Sequence, residues 1–128
     1  MSAEKQKRKI ILVAEDEQVI ATALYQVLEY AGYELLKATN GEEALRQIET
    51  QQPDVVILDI VMPKMDGWEV CKRLKTNPST QSIPVLIYTT LCDRKDMEKG
   101  EKLGADKFVG KDKTPVEVLA ALQSLIKP

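Results

Sequence analysis

The chain has 128 residues, 18 Lys and Arg against 20 Asp and Glu, and a net charge of −2. That size fits one domain with its own core, and the balance gives no strongly basic surface for direct nucleic-acid binding. No apolar run is long enough for a bilayer, so no membrane contact is expected, and the basic start MSAEKQKRK lacks the apolar region of a signal peptide.

Residues 1–8 read as a solvated basic tail and 9–127 as the domain. Ile10 to Ala14 is a short continuous apolar run, the pattern of a strand buried on both faces. From Glu17 to Ala31, Ile20, Ala21, Leu24, Val27, Leu28 and Ala31 fall at helical spacing, and Gly32 closes the stretch. Tyr33 to Ala38 predicts a weaker strand. Asn40 suits the N-cap of a helix carrying Ala44, Leu45 and Ile48, with Pro53 beyond its end. Val55 to Leu58 predicts a second buried strand. A helix from about Gly67 to Lys75 carries Trp68, Cys71 and Leu74 and breaks at Asn77-Pro78.

Ile83 to Thr89 predicts a third strong strand, with Pro84 at its start. Arg94 to Leu103 predicts a poor helix with little apolar face beyond Met97 and Leu103 and Gly100 inside, hence a mobile one. Lys107 to Val109 is a short strand. Thr114-Pro115-Val116-Glu117 reads as a capping box with proline at the first helical position, and Val118, Leu119, Leu122, Leu125 and Ile126 supply the last helix's buried face. Five strands alternating with five helices imply a doubly wound (βα)₅ domain with a parallel sheet.

The strong strands end in polar residues: Glu15-Asp16 after the first, Asp59 at the third, Thr89-Thr90 at the fourth; Lys111 follows the fifth. An open α/β sheet binds ligands at its carboxyl ends, where the strand order switches. In the common order 2-1-3-4-5, Asp16 and Asp59 face each other across that point. Carboxylates so close raise one another's pKa, and a hard cation with oxygen ligands, Mg²⁺ above all, relieves the conflict. Metal, lysine and hydroxyl together are equipment for holding a phosphoryl group. Cys71 and Cys92 show neither metal nor redox spacing, which fits a reduced, cytoplasmic setting. The chain has no histidine.

Glu15-Asp16, the run ILDIVMPKMDG, the strand IPVLIYTT and the segment GADKFVGK together resemble a response-regulator receiver domain, from about Lys9 to Ile126. The resemblance implies a flavodoxin-like three-layer sandwich with a five-stranded parallel sheet. It implies that Asp59 accepts a phosphoryl group from a histidine of a sensor kinase or histidine phosphotransfer protein; without a histidine of its own, the chain needs such a donor. Asp16 and Asp59 would ligate Mg²⁺, Glu15 mostly through water, and Val61 through its backbone carbonyl. Lys111 would pair with the phosphoryl group, Thr89 would bond a phosphoryl oxygen, and Phe108 would swing inward as the readout. Pro63 and Gly67 would shape the loop after Asp59. The chain would act as a stand-alone binding switch rather than an enzyme, presenting its fourth helix, fifth strand and fifth helix to a downstream output protein.

Departures from the family pattern sharpen these expectations. Asp112 stands where most members have a proline joined by a cis bond; without proline that geometry costs about 2.5–4 kcal/mol, so a trans bond is expected, with a reshaped loop that could displace Lys111. Phe108 replaces the usual tyrosine. Val61 and Leu91 are apolar where polar side chains could hold an attacking water, so phosphate loss is expected to take hours. Two other classes compete. A phosphohydrolase of the haloacid-dehalogenase style would need an acid at position 61, which is valine. A phosphorylation-independent interaction module would be favoured if the Lys111-Asp112 loop disabled the site. Asp59 as a strand-end cap, Glu15 and Asp16 as helix caps, Thr89 as a plain strand residue, Lys111 as a solvated loop lysine and Phe108 as core are the structural alternatives.

Overall fold

The computed structural model describes residues 8–126; all but the last residue of the expected basic tail, and Lys127, lie outside the described residues. In chain order the elements are β1 (Ile10–Ala14), α1 (Gln18–Tyr30), β2 (Glu34–Ala38), α2 (Gly41–Gln51), β3 (Val55–Leu58), α3 (Gly67–Thr76), β4 (Val85–Thr89), α4 (Arg94–Lys102), β5 (Lys107–Gly110) and α5 (Pro115–Gln123). The five strands form one parallel sheet in the order β2-β1-β3-β4-β5. All ten predicted elements are present, and the strand order is the expected one.

Strand alternation sorts the core into two layers. Leu12, Ala14, Val56, Leu58, Val85 and Ile87 face Ala44 and Ile48 of α2 and Val70, Cys71 and Leu74 of α3. Ile11, Val13, Val55, Ile57, Leu86 and Tyr88 face Leu24 and Leu28 of α1 and Val118 and Leu122 of α5. Every residue of β1 after Ile10, and all of β3 and β4, is buried. That is why those strands read as unbroken apolar runs.

The caps are mostly where the sequence puts them. The side chains of Asn40, Asp66 and Thr114 accept the third-residue N–H of α2, α3 and α5. At Thr114 only this half of the expected capping box forms through the backbone; the Glu117 carboxylate takes the threonine hydroxyl instead, at 3.4 Å. The full reciprocal box sits at α4, between Asp93 and Asp96.

Two boundaries are corrected. β4 begins at Val85 rather than Ile83: Pro84 has no N–H to pair, and the Ile83 N–H closes a turn onto the Thr80 carbonyl at 3.0 Å. α5 ends at Gln123, so Leu125 and Ile126 lie past the helix although both pack on the second layer. There the Ser124 hydroxyl donates to the Ala121 carbonyl at 2.6 Å, and Leu125 N–H turns back to Leu122, three residues earlier, at 2.9 Å. Far from the strands' carboxyl ends, Lys75 of α3 donates to the carbonyls of Gln81 and Ile83 and to Asp106. Asp106 also accepts the Val85 N–H at 2.8 Å.

Candidate functional site

The backbone fixes the acids before their side chains act. Asp59 follows the last residue of β3 and donates its N–H to the Ala14 carbonyl at 3.1 Å; Glu15 follows β1 and donates to the Ala38 carbonyl at 3.0 Å. Both are buried, 4% and 2% exposed, while Asp16 is exposed. Gly67 begins α3 directly on this loop. A Cβ there would collide with the Asp59 carbonyl oxygen and come within 2.8 Å of Ile60 Cα, so only glycine permits the approach.

Lys111 reaches the acids from the loop after β5. Its Nζ lies 2.8 Å from Glu15, 3.0 Å from Asp59 and 3.3 Å from Glu17, and its side chain is 6% exposed. Lys111 is not displaced. The described residues contain no cis peptide bond, so Lys111-Asp112 is trans. The loop is nonetheless held at both ends: Lys111 N–H donates to Thr89 at 2.9 Å, Lys113 N–H to Gly110 at 3.0 Å, and the Tyr88 hydroxyl donates to the Lys113 carbonyl at 3.0 Å.

One buried ammonium cannot neutralise the acids around it. Burial pushes the Glu15 carboxyl up to about 7, the Asp59 charge adds to this, and the Lys111 hydrogen bond opposes it. Burial pulls Lys111 the other way, yet its bonds to Glu15 and Asp59 outweigh that and hold it above the usual lysine range. The two directions agree on one picture: the lysine stays charged and one carboxylate is in surplus. Glu15, Asp16 and Asp59 can each turn an oxygen toward a common point, all within 4.8 Å of one another.

A depression of about 280 Å³ opens above Asp59, lined by Asp16, Glu17, Val61, Thr90 and Lys111. Thr89 is fully buried; its hydroxyl oxygen accepts the Leu91 N–H at 3.3 Å, and it does not line the opening. Phe108 is half-buried on α4: a Cβ on Gly100 would meet its ring at 3.0 Å. Grooves of about 460 and 450 Å³ flank Phe108 along α4, β5 and the start of α5.

Glu17 and Thr90 were not singled out by the sequence. The signal was present as the third acid of Glu15-Asp16-Glu17 and the second of two threonines, but only the loop paths show which side chains face the opening.

The family model of the response regulator receiver domain matches residues 11–123. The chain belongs to the receiver-domain family. It is 40% identical over 119 residues to the alkaline phosphatase synthesis transcriptional regulatory protein PhoP of Bacillus subtilis, covering 93% of this chain and 49% of that protein. The receiver thus spans about half the length of the curated relatives it matches. Among solved structures, the chemotaxis response regulator CheY4 of Vibrio cholerae superposes with a TM-score of 0.87 at 29% identity, covering 94% of this chain and all of that one. The signal receiver domain of a signal transduction histidine kinase from Syntrophus aciditrophicus gives 0.83 at 36% identity, over 91% and 89%.

Receiver domains are signalling switches of two-component systems and bind Mg²⁺ at an acidic pocket. The residues here fit that ion: the donors are all hard oxygens, and the buried pair carries more negative charge than Lys111 balances. No helix among the described residues is long and apolar enough to cross a membrane.

Proposed function

We propose that Asp59 accepts a phosphoryl group from a histidine of a sensor kinase or histidine phosphotransfer protein, and that this switches the face formed by α4, β5 and α5. The observation that carries the reading is the Lys111 ammonium 3.0 Å from the buried Asp59 carboxylate, with surplus acids beside it. An Asp59 oxygen attacks phosphorus as the P–N bond to the donor imidazole breaks, and that nitrogen leaves with the bonding electron pair, the imidazole kept neutral by the proton on its other ring nitrogen. Lys111 keeps its charge and turns toward a phosphoryl oxygen. Mg²⁺, held by Asp16, Asp59, the Val61 carbonyl and, through water, Glu15, would supply the countercharge that lets two anions meet.

Among the described residues the Thr89 hydroxyl accepts from the Leu91 N–H and donates to no acceptor, so its hydrogen can go to a phosphoryl oxygen. That donation draws β4 toward Asp59, and Phe108, which rests on α4, follows inward. A downstream protein then reads the changed α4-β5-α5 face. Val61 and Leu91 stand 56% and 37% exposed beside the site and hold no water for hydrolysis, so the phosphorylated state persists for hours.

Against the phosphorylation-independent reading stands the Lys111 ammonium 3.0 Å from Asp59, although Asp112 follows it. The test is incubation with acetyl phosphate and Mg²⁺, followed by intact-mass measurement. Wild type gains one phosphoryl group and Asp59→Asn gains none; equal labelling of the two refutes the assignment.

A further inference from the structure

The Lys111 ammonium, with three N–H donors, is enclosed by three carboxylates: Glu15 at 2.8 Å as an ion pair, and Asp59 at 3.0 Å and Glu17 at 3.3 Å as hydrogen-bond acceptors. A phosphoryl oxygen arriving beside Asp59 can bond Lys111 only if one acceptor withdraws. Glu15 and Asp59 are 2% and 4% exposed; pulling either away would leave a buried charge unpaired, which is costly. Glu17 has the longest contact, and its side chain is 60% exposed, so water takes over its hydration when it swings out. It also lines the opening through which a donor enters. Among the described residues its side chain has no other hydrogen bond: although it is the N-cap residue of α1, it makes no cap hydrogen bond.

We propose that Glu17 is a positioning residue that occupies the phosphoryl-oxygen place on Lys111 in the resting receiver and must release it before transfer. The inference rests on the phosphoacceptor reading of Asp59 and adds a step to it. With acetyl phosphate, the Asp59 oxygen forms the new O–P bond, and the P–O bond to the acyl group breaks. Acetate leaves with that electron pair, and Glu17 gives up its hydrogen bond without changing its protonation.

The test is the initial phosphorylation rate with acetyl phosphate at saturating Mg²⁺, read by intact mass, for Glu17→Gln, Glu17→Ala and Glu17→Asp. Release of an exposed ion pair predicts a rise of roughly 1.5- to fivefold for Gln and Ala. Asp keeps the charge but is one methylene short of Lys111, and it rises with them. A second readout needs no phosphodonor: the ¹⁵N signal of the Lys111 ammonium exchanges hydrogen with water faster in all three variants than in wild type.

Unchanged or slower phosphorylation in Glu17→Gln overturns the inference. So does a Glu17→Asp rate equal to wild type, which would mean that charge at the opening matters and the contact does not. If wild type takes up no more phosphate than Asp59→Asn, the phosphoacceptor reading falls and takes this inference with it; a labelled wild type with unaltered Glu17 variants removes the inference alone.

Discussion

α2 and α4 each open on a side-chain cap at the carboxyl end of a strand, but they are attached to the sheet in different ways. α2 buries Ala44, Leu45 and Ile48. α4 buries only Gly100, and around it stand Arg94, Lys95, Asp96, Glu98, Lys99, Glu101 and Lys102. What α4 lacks in burial it makes up locally, with the full Asp93–Asp96 capping box. Its other fastenings are at side-chain tips, such as the Lys99 ammonium 4.7 Å from the centre of the Trp68 ring on α3. The lesson is that helicity and anchorage are separable. α2 is a helix because the core needs its face, whereas α4 is a helix because its own residues close it, so it can shift without unfolding.

The largest test of this contrast is truncation. Ile48→Ala should cost about 2–5 kcal/mol, while Met97→Ala, 47% exposed on α4, should stay within about 0.5 kcal/mol. Urea denaturation of both variants checks this, and equal losses would erase the distinction.

The acidic site at the strands' carboxyl ends gives a pH test. The Glu15 carboxyl rises from its ordinary 4.5 to about 7 through burial. The stability that a raised acid contributes is fully present below 4.5 and is lost as pH climbs through 7. Metal-free protein should therefore weaken across that window. Mg²⁺, which must displace the same proton, should bind up to about tenfold more tightly per pH unit until 7 and level off above it. Thermal melts with and without Mg²⁺, and titration by Trp68 fluorescence, read the two halves.

Gly100→Ala sets two terms against each other. Helix propensity favours alanine by about 1 kcal/mol, but the new methyl meets the Phe108 ring at 3.0 Å and Ile87 at 3.3 Å. We expect a net loss of about 1 kcal/mol that disappears in the Phe108→Ala background. A loss independent of residue 108 would mean that Phe108 does not seat α4. The smallest effect belongs to Asp93→Ala. It should speed amide exchange in the first turn of α4 and cost about 0.5–1 kcal/mol or less globally, because so little core depends on that helix.

Much of this was legible in the sequence. Residues 11–14, 55–58 and 85–89 are buried on both faces, and nothing but a covered parallel sheet explains such runs ending in Glu15, Asp59 and Thr89. The thin buried face of α4 was legible too, from a stretch with little apolar beyond Met97 and Leu103 and with Gly100 inside. What failed has local causes. Leu125 and Ile126 keep helical spacing, but periodicity cannot see the Ser124 hydroxyl and the three-residue turns that end α5. Asp112 in place of a proline could have displaced Lys111, yet the Tyr88 hydroxyl bond to Lys113, a contact between residues 25 apart, helps fix that loop. Glu17 contacts Lys111 across 94 positions, and no spacing rule reaches that far.

Lys75 has one more consequence. Its stem also touches the start of the return from α4, where a Cβ on Gly104 would meet Lys75 Cγ at 3.0 Å. The segment after α4 is thus held at the far rim of the sheet, where Asp106 bonds Lys75 and the Val85 N–H, and the capped N-terminal end of α4 lies at the strands' carboxyl ends. A rod fixed at one end and pushed at the other is a lever. A small displacement of the β4–α4 loop at Thr89 and Leu91 would be carried as a rotation of the whole helix about Lys75, with Phe108 beneath it near mid-span.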